Sequence, residues 1–154
     1  MKTLSFMFTL LSVLLTGCND NENTIGDSIL TFYLELTDEN GNPVITSDEE
    51  AGAFPKLTTV PISPNNSFSN FEASRAKKGA NGHYYFEVTN HSAMGDEYRF
   101  ILHARGEISS DYTFETTWSN VNLKSIKVNG NEITPGKVSF NGKEYASISL
   151  AVVH

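Results

Sequence analysis

The chain has 154 residues, of which 11 are basic and 18 acidic, for a formal charge of −7. That balance argues against nucleic acid as a partner, because a phosphate backbone is met by a basic patch. Cys18 is the only cysteine, so a disulfide within one chain is excluded, a thioether on its sulfur would exclude a cysteine-ligated metal as well, and an exported domain must be stable through packing alone.

Met1-Lys2-Thr3 is a short basic start, followed by an uncharged apolar run from Leu4 to Leu15. That is the profile of a cleavable signal peptide over residues 1–17. The run meets Thr16-Gly17-Cys18 and a polar stretch well before the roughly 18 to 20 apolar residues that a spanning helix needs. Leu15-Thr16-Gly17-Cys18 resembles the lipobox of bacterial lipoproteins. The resemblance implies acylation of the Cys18 thiol, cleavage before it, and a membrane anchor of more than one acyl chain. Two or more chains hold stably where one does not, at about 0.8 kcal/mol per buried CH₂. Loss of residues 1–17 removes one base and no acid, leaving 137 residues with 18 acids, ten bases and a formal charge of −8. That length suits one domain with a real core.

From Cys18 to Pro55 there are nine acids and no Lys or Arg, whereas from Lys56 onward nine acids face ten bases. Residues 18–27 are polar and read as a flexible acidic tether between the lipidated cysteine and the domain. The acids behind Cys18 resemble the surface-export signal of Bacteroidetes-type lipoproteins, which implies the outer face of the outer membrane. An aspartate close behind the cysteine, such as Asp20, implies retention at the inner membrane in enterobacterial systems, so a periplasm-facing placement is the alternative. Asp27-Ser28-Ile29 resembles the short O-glycosylation motif of the same bacterial group, which would place a glycan on Ser28.

Residues 28–154 read as strands and turns. Leu30, Phe32, Leu34 and Leu36 alternate with Thr31, Tyr33, Glu35 and Thr37, the period of a half-buried strand. Asp38 to Pro43 is a turn leading to Val44-Ile45-Thr46, which predicts a hairpin. Ser47 to Phe54 reads as an acidic loop, and Lys56 to Ile62 as a short segment held at an edge by Pro61 and Pro64. Phe68 to Ala76 and His83 to Thr89 are predicted to pair, with Tyr84, Phe86 and Val88 on one face and Tyr85 and Glu87 on the other. Further strands carry Tyr98, Phe100, Leu102 and Ala104, then Tyr112, Phe114, Thr116 and Trp118. Asn129-Gly130 and Asn141-Gly142 each sit between β-rich runs, the strongest short hairpin signal. Ile148, Leu150 and Val152 give the last strand its inward face. The expectation is an all-β antiparallel sandwich of seven to nine strands, with immunoglobulin-like topology as the first choice. A transthyretin-like or jelly-roll sandwich is the alternative, and Leu34 to Val44 resembles the first hairpin of carboxypeptidase-regulatory-type sandwiches.

Chemistry is sparse. His83, His91, His103 and His154 show no zinc spacing, and no Gly-x-Ser-x-Gly elbow or phosphate-cradling glycine loop occurs. No cofactor, metal or catalytic residue is assigned. Asp48-Glu49-Glu50, with Asp38 and Asn40, offers oxygens for calcium but lacks the alternation of an EF-hand, so a solvated loop is favoured. Trp118 is the one candidate ligand contact, as an indole able to stack on a sugar, although its alternation with Tyr112 and Phe114 favours the core. The functional expectation is a non-catalytic surface module that binds a glycan or protein. The alternatives are a structural subunit of a surface complex, joined through an edge strand, and a small hydrolase.

Overall fold

The computed structural model describes residues 28–62, 71–93, 95–104 and 110–152. Eleven strands and one short helix follow in chain order: β1 (Ser28–Thr37), α1 (Asp48–Ala53), β2 (Thr58–Pro61), β3 (Glu72–Ala73), β4 (Lys77–Lys78), β5 (Tyr84–Ala93), β6 (Glu97–Ala104), β7 (Ser110–Ser119), β8 (Asn122–Val128), β9 (Asn131–Ile133), β10 (Gly136–Phe140) and β11 (Lys143–Ala151). They form two packed sheets, an all-β sandwich. One sheet runs β10-β11-β1-β5-β3, with β4 also on β5; the other runs β2-β6-β7-β8-β9.

The period-2 patterns produce this directly. Leu30, Phe32 and Leu34 of β1, Phe86 and Val88 of β5, Phe100 and Leu102 of β6 and Phe114 of β7 are all at most 1% exposed and form one core. Phe71 lies at its centre, with ring centroids 4.7 Å from Phe100, 5.6 Å from Tyr98 and 6.3 Å from Phe32. Both Asn-Gly pairs make the expected tight hairpins: Asn129 and Gly130 have φ of 51° and 80°, Asn141 and Gly142 have 51° and 78°. Positive φ at both central residues matches the right-handed twist of the flanking strands.

Several expectations are corrected. One neighbouring pair, β1 with β11, is parallel. The first and last strands lie side by side, and β6 to β9 form an unbroken meander. The predicted loop Ser47 to Phe54 contains α1. Ser47 caps it, its Oγ accepting from the Glu50 amide at 3.2 Å, while the Glu50 carboxylate accepts from the Thr46 amide and hydroxyl at 2.7 and 2.9 Å. The predicted strand Phe68 to Ala76 reduces to β3 where it is described, and Lys77-Lys78, between the two segments predicted to pair, forms β4. The segment after Pro43 makes a single bridge, Thr37 to Pro43, rather than a full second strand.

The face of the first sheet that points away from the main core is covered too. β11 is divided between two partners: Lys143–Ser147 pair with β10, and Ser147–Ala151 pair with β1, so Ser147 alone is in register with both. The β10–β11 hairpin thereby leaves the plane of β1 and curls over the outer face. Val138 packs with Tyr33 and Tyr85 in a second small core, against which Phe140 and Tyr145 are partly buried. The Ala80 amide donates to the Ser139 carbonyl at 3.0 Å, tying the turn after β4 to β10. Tyr85, expected on an outer face, is consequently only 4% exposed.

Candidate functional site: a cleft where the first sheet splits

The sites expected from sequence are scattered. Cys18 lies outside the described residues. Ser28 opens β1, in register with Ala93 of β5. Trp118 is 2% exposed, its Nε1 donating to the Thr116 hydroxyl at 2.9 Å and its ring stacked 6.3 Å from Phe71. It has no free face for a sugar, which corrects its candidacy as a ligand contact.

Three of the acids considered for calcium, Asp38, Asp48 and Glu50, have their own donors. Asp38 accepts from the amides of Asn40 and Asn42, at 2.9 and 2.7 Å, and from the Asn42 side chain at 2.9 Å. These bonds, the Asn42 side chain foremost, hold its carboxyl below the ordinary range. Asp48 accepts the Tyr84 hydroxyl at 2.9 Å, and the Thr46 amide holds the Glu50 carboxyl low. Among the described residues no three metal-ligating side chains converge.

One Ser-His-acid group does form, on the outer face. Glu35, 7% exposed, takes His83 Nδ1 at 2.7 Å on one carboxylate oxygen and the Ser149 hydroxyl at 3.1 Å on the other. In a nucleophilic triad the imidazole bonds the hydroxyl and the acid holds the imidazole from behind. Here the hydroxyl bonds the acid, so the arrangement satisfies a buried carboxylate.

Further along the same face, Tyr33 donates to Glu87 Oε2 at 3.2 Å, Lys77 also bonds Glu87, and the Tyr33 ring stacks on Phe140 at 4.3 Å. Burial pushes the Glu87 carboxyl up, but the Lys77 bond and charge, with the bonds from Tyr33 and Thr89, outweigh it and the net direction is down. Burial first, then the Glu87 charge, pushes the Tyr33 phenol well above its ordinary range.

The prominent concavity is the split itself. The β1–β11 ladder begins only at Tyr33 and Ser147, so Ile29 to Phe32 on one side and Lys143 to Ala146 on the other diverge. A cleft of about 1060 Å³ opens there, lined by Ile29, Thr31 and Tyr33 on the β1 side, Tyr145 and Ala146 on the β11 side, and Val121 to Lys124 of the β7–β8 turn and β8. Ile29 and Val121, 52% and 54% exposed, are the two most exposed large apolar side chains of the described chain, and both stand in this one cleft. Three lysines line it, Lys124, Lys137 and Lys143, with Glu87 and Glu144. Lys137 bonds Glu144 at 2.9 Å and Lys77 bonds Glu87, so both acids are already paired. Lys143 lies 5.1 Å from the Tyr145 ring centroid, and among the described residues neither it nor Lys124 is in an ion pair.

Sequence reasoning located none of this as a site. Ile29 follows the strand alternation and Val121 precedes β8, and only the change of partner at Ser147 brings them to one opening. Comparison with protein-family models, with curated proteins and with solved structures finds no match to the chain, so its own cleft carries the functional reading.

Proposed function

We propose that this chain is a lipid-anchored, non-catalytic binding module of the outer-membrane surface, and that the cleft between β1 and β11 is where it takes a glycan or protein ligand. The observation that carries this is the pairing of an open, ligand-sized concavity with Ile29 and Val121, the two most exposed large apolar side chains among the described residues, and two lysines that, among those residues, are in no ion pair. Specific sites combine apolar lining with a few placed polar groups in this way. The lipobox-like Leu15 to Cys18 supports the anchor. Ten residues from Cys18 to Asp27 span at most about 35 Å, which keeps the cleft, beside the start of β1, within reach of the membrane.

Two measurements test the reading together. Cys18→Ala should move the protein from the membrane to the soluble fraction; retention on membranes would remove the anchor. The full chain, probed on glycan and peptide arrays, should bind a member of one of them, and silence on both would remove the binding role.

A second reading has one observation behind it. β2 is an edge strand carrying exposed Val60, with exposed Ile62 just beyond it. Such an edge is suited to pairing with another chain. Light scattering that shows concentration-dependent oligomers, abolished by Val60→Lys, would favour this structural role.

A further inference from the structure

The chemistry of the split narrows the ligand class, on the premise that the cleft is the binding site. We infer that the cleft accepts an extended, acidic peptide strand, inserted between β1 and β11 and hydrogen-bonded to both.

In a strand, successive backbone groups point alternately to its two sides. Over residues 30–32 β1 is paired on one side by β5, after a register shift at Ile29, and over 143–146 β11 is paired on one side by β10. Each therefore turns every second amide and carbonyl of its other side toward the cleft, where no described strand meets them. Two open edges border one cleft. β1 and β11 run parallel, so a single inserted strand runs parallel to both or antiparallel to both, and one register satisfies the two edges at once. Main-chain bonds of that kind give affinity in strand addition, and pockets for alternate side chains give specificity.

Those side-chain positions are stated by the lining. Ile29 and Val121 offer apolar contact to residues pointing one way, and Lys124 and Lys143 offer charge to carboxylates along the strand. The complementarity is local, on a chain whose net charge is −7, so an acidic partner is attracted here and repelled elsewhere. A glycan would use the lysines and leave both backbone edges unpaired.

The test uses the full chain in detergent, panned against a phage-displayed random dodecapeptide library. Recovered peptides are synthesised with the native backbone and with alternate amides N-methylated. The expected result is enrichment of sequences that alternate β-branched with acidic residues, and at least tenfold weaker binding after N-methylation. Lys124→Glu with Lys143→Glu should weaken binding at least tenfold as well. Hydrogen exchange should slow in residues 29–32 and 143–146 together when peptide is bound. No enrichment, unchanged affinity after N-methylation, or protection confined to other strands would overturn the inference. Polygalacturonate, run in parallel, separates the two levels: if it binds in the cleft and no peptide does, the site stands and the peptide assignment falls. If neither binds, both fall.

Discussion

Substitution at Gly79 should destabilise the protein through the curled hairpin alone. A Cβ at this position would lie 2.9 Å from Val138 Cγ2, 3.0 Å from Asn81 Oδ1 and 3.2 Å from Tyr85 Cε2. None of these neighbours gives way easily. Val138 is β-branched and 3% exposed, and Asn81 is held by its bonds to the Tyr85 hydroxyl at 2.9 Å and the His83 amide at 3.2 Å. Gly79→Ala is thus an overpacking change, expected to cost about 1–3 kcal/mol. Val138→Ala removes two buried methyl groups, each about 0.8 kcal/mol in transfer, and leaves a small cavity, for about 2 kcal/mol in all. In the double variant the new methyl occupies the space the valine vacates. The pair should therefore cost less than the sum of the singles, by about 1–2 kcal/mol. Urea denaturation of the four proteins measures this, as shifts in midpoint at constant slope. A neutral Gly79→Ala, or strict additivity, would refute the clamp between the β4–β5 turn and β10 and with it the account of why the sheet splits.

Gly142→Ala should cost about 1–2 kcal/mol, because φ there is +78° and no atom lies within 4 Å, leaving backbone strain as the only term. Gly52→Ala, in open space inside α1, should instead stabilise by about 0.5–1 kcal/mol; opposite signs in thermal melts check both. Alkaline titration should show late ionisation of Tyr33, Tyr84 and Tyr85, whose phenols are raised first by burial. A raised phenol adds stability that is complete below its unfolded value, near 10, and lost as pH climbs through the folded one, so unfolding should accompany their phenolate absorbance. At the acid end, Asp38, Glu50 and Glu87 are lowered, so their contribution is present above about pH 4 and disappears as pH falls through their folded values. A stability profile rising toward pH 3 would contradict those signs. Trp118 is the sole tryptophan, and its emission should be that of a buried indole, unmoved by any ligand of the cleft. A red-shifted native spectrum would contradict its packing.

What could be read from the residues is what strands declare locally. Leu30 to Leu36 and Tyr112 to Trp118 alternate with period 2, and Asn129-Gly130 and Asn141-Gly142 declare their turns through the φ values they tolerate. The helix α1 was hidden by its six-residue length, too short for helical periodicity, although Ser47 and Glu50 at capping-box spacing marked its start. Tyr33, Tyr85 and Tyr145 alternate as outer-face residues should. Their burial comes from β10 folding back on them, a contact about 50 to 110 residues away in sequence for Tyr33 and Tyr85 that no local pattern encodes. The cleft is harder still. It depends on β11 changing partners at Ser147, a register between the two ends of the chain. Trp118 shows the converse: an aromatic residue attracts a ligand reading by type, and its strand alternation was the better guide.

The central claim is that ligand is bound in the split and not at the other exposed apolar site. It is tested most directly by measuring the affinity of an array-identified ligand for three proteins: the unaltered chain, Ile29→Asp with Val121→Asp, and Val60→Asp on β2, where the replaced valine is 47% exposed. All three substitutions fall on exposed side chains, so folding should be little affected and thermal melts will show it. The account predicts at least a tenfold loss for the cleft pair and none for Val60→Asp. Full affinity in the cleft pair with loss in Val60→Asp would place the site on the β2 edge and contradict it.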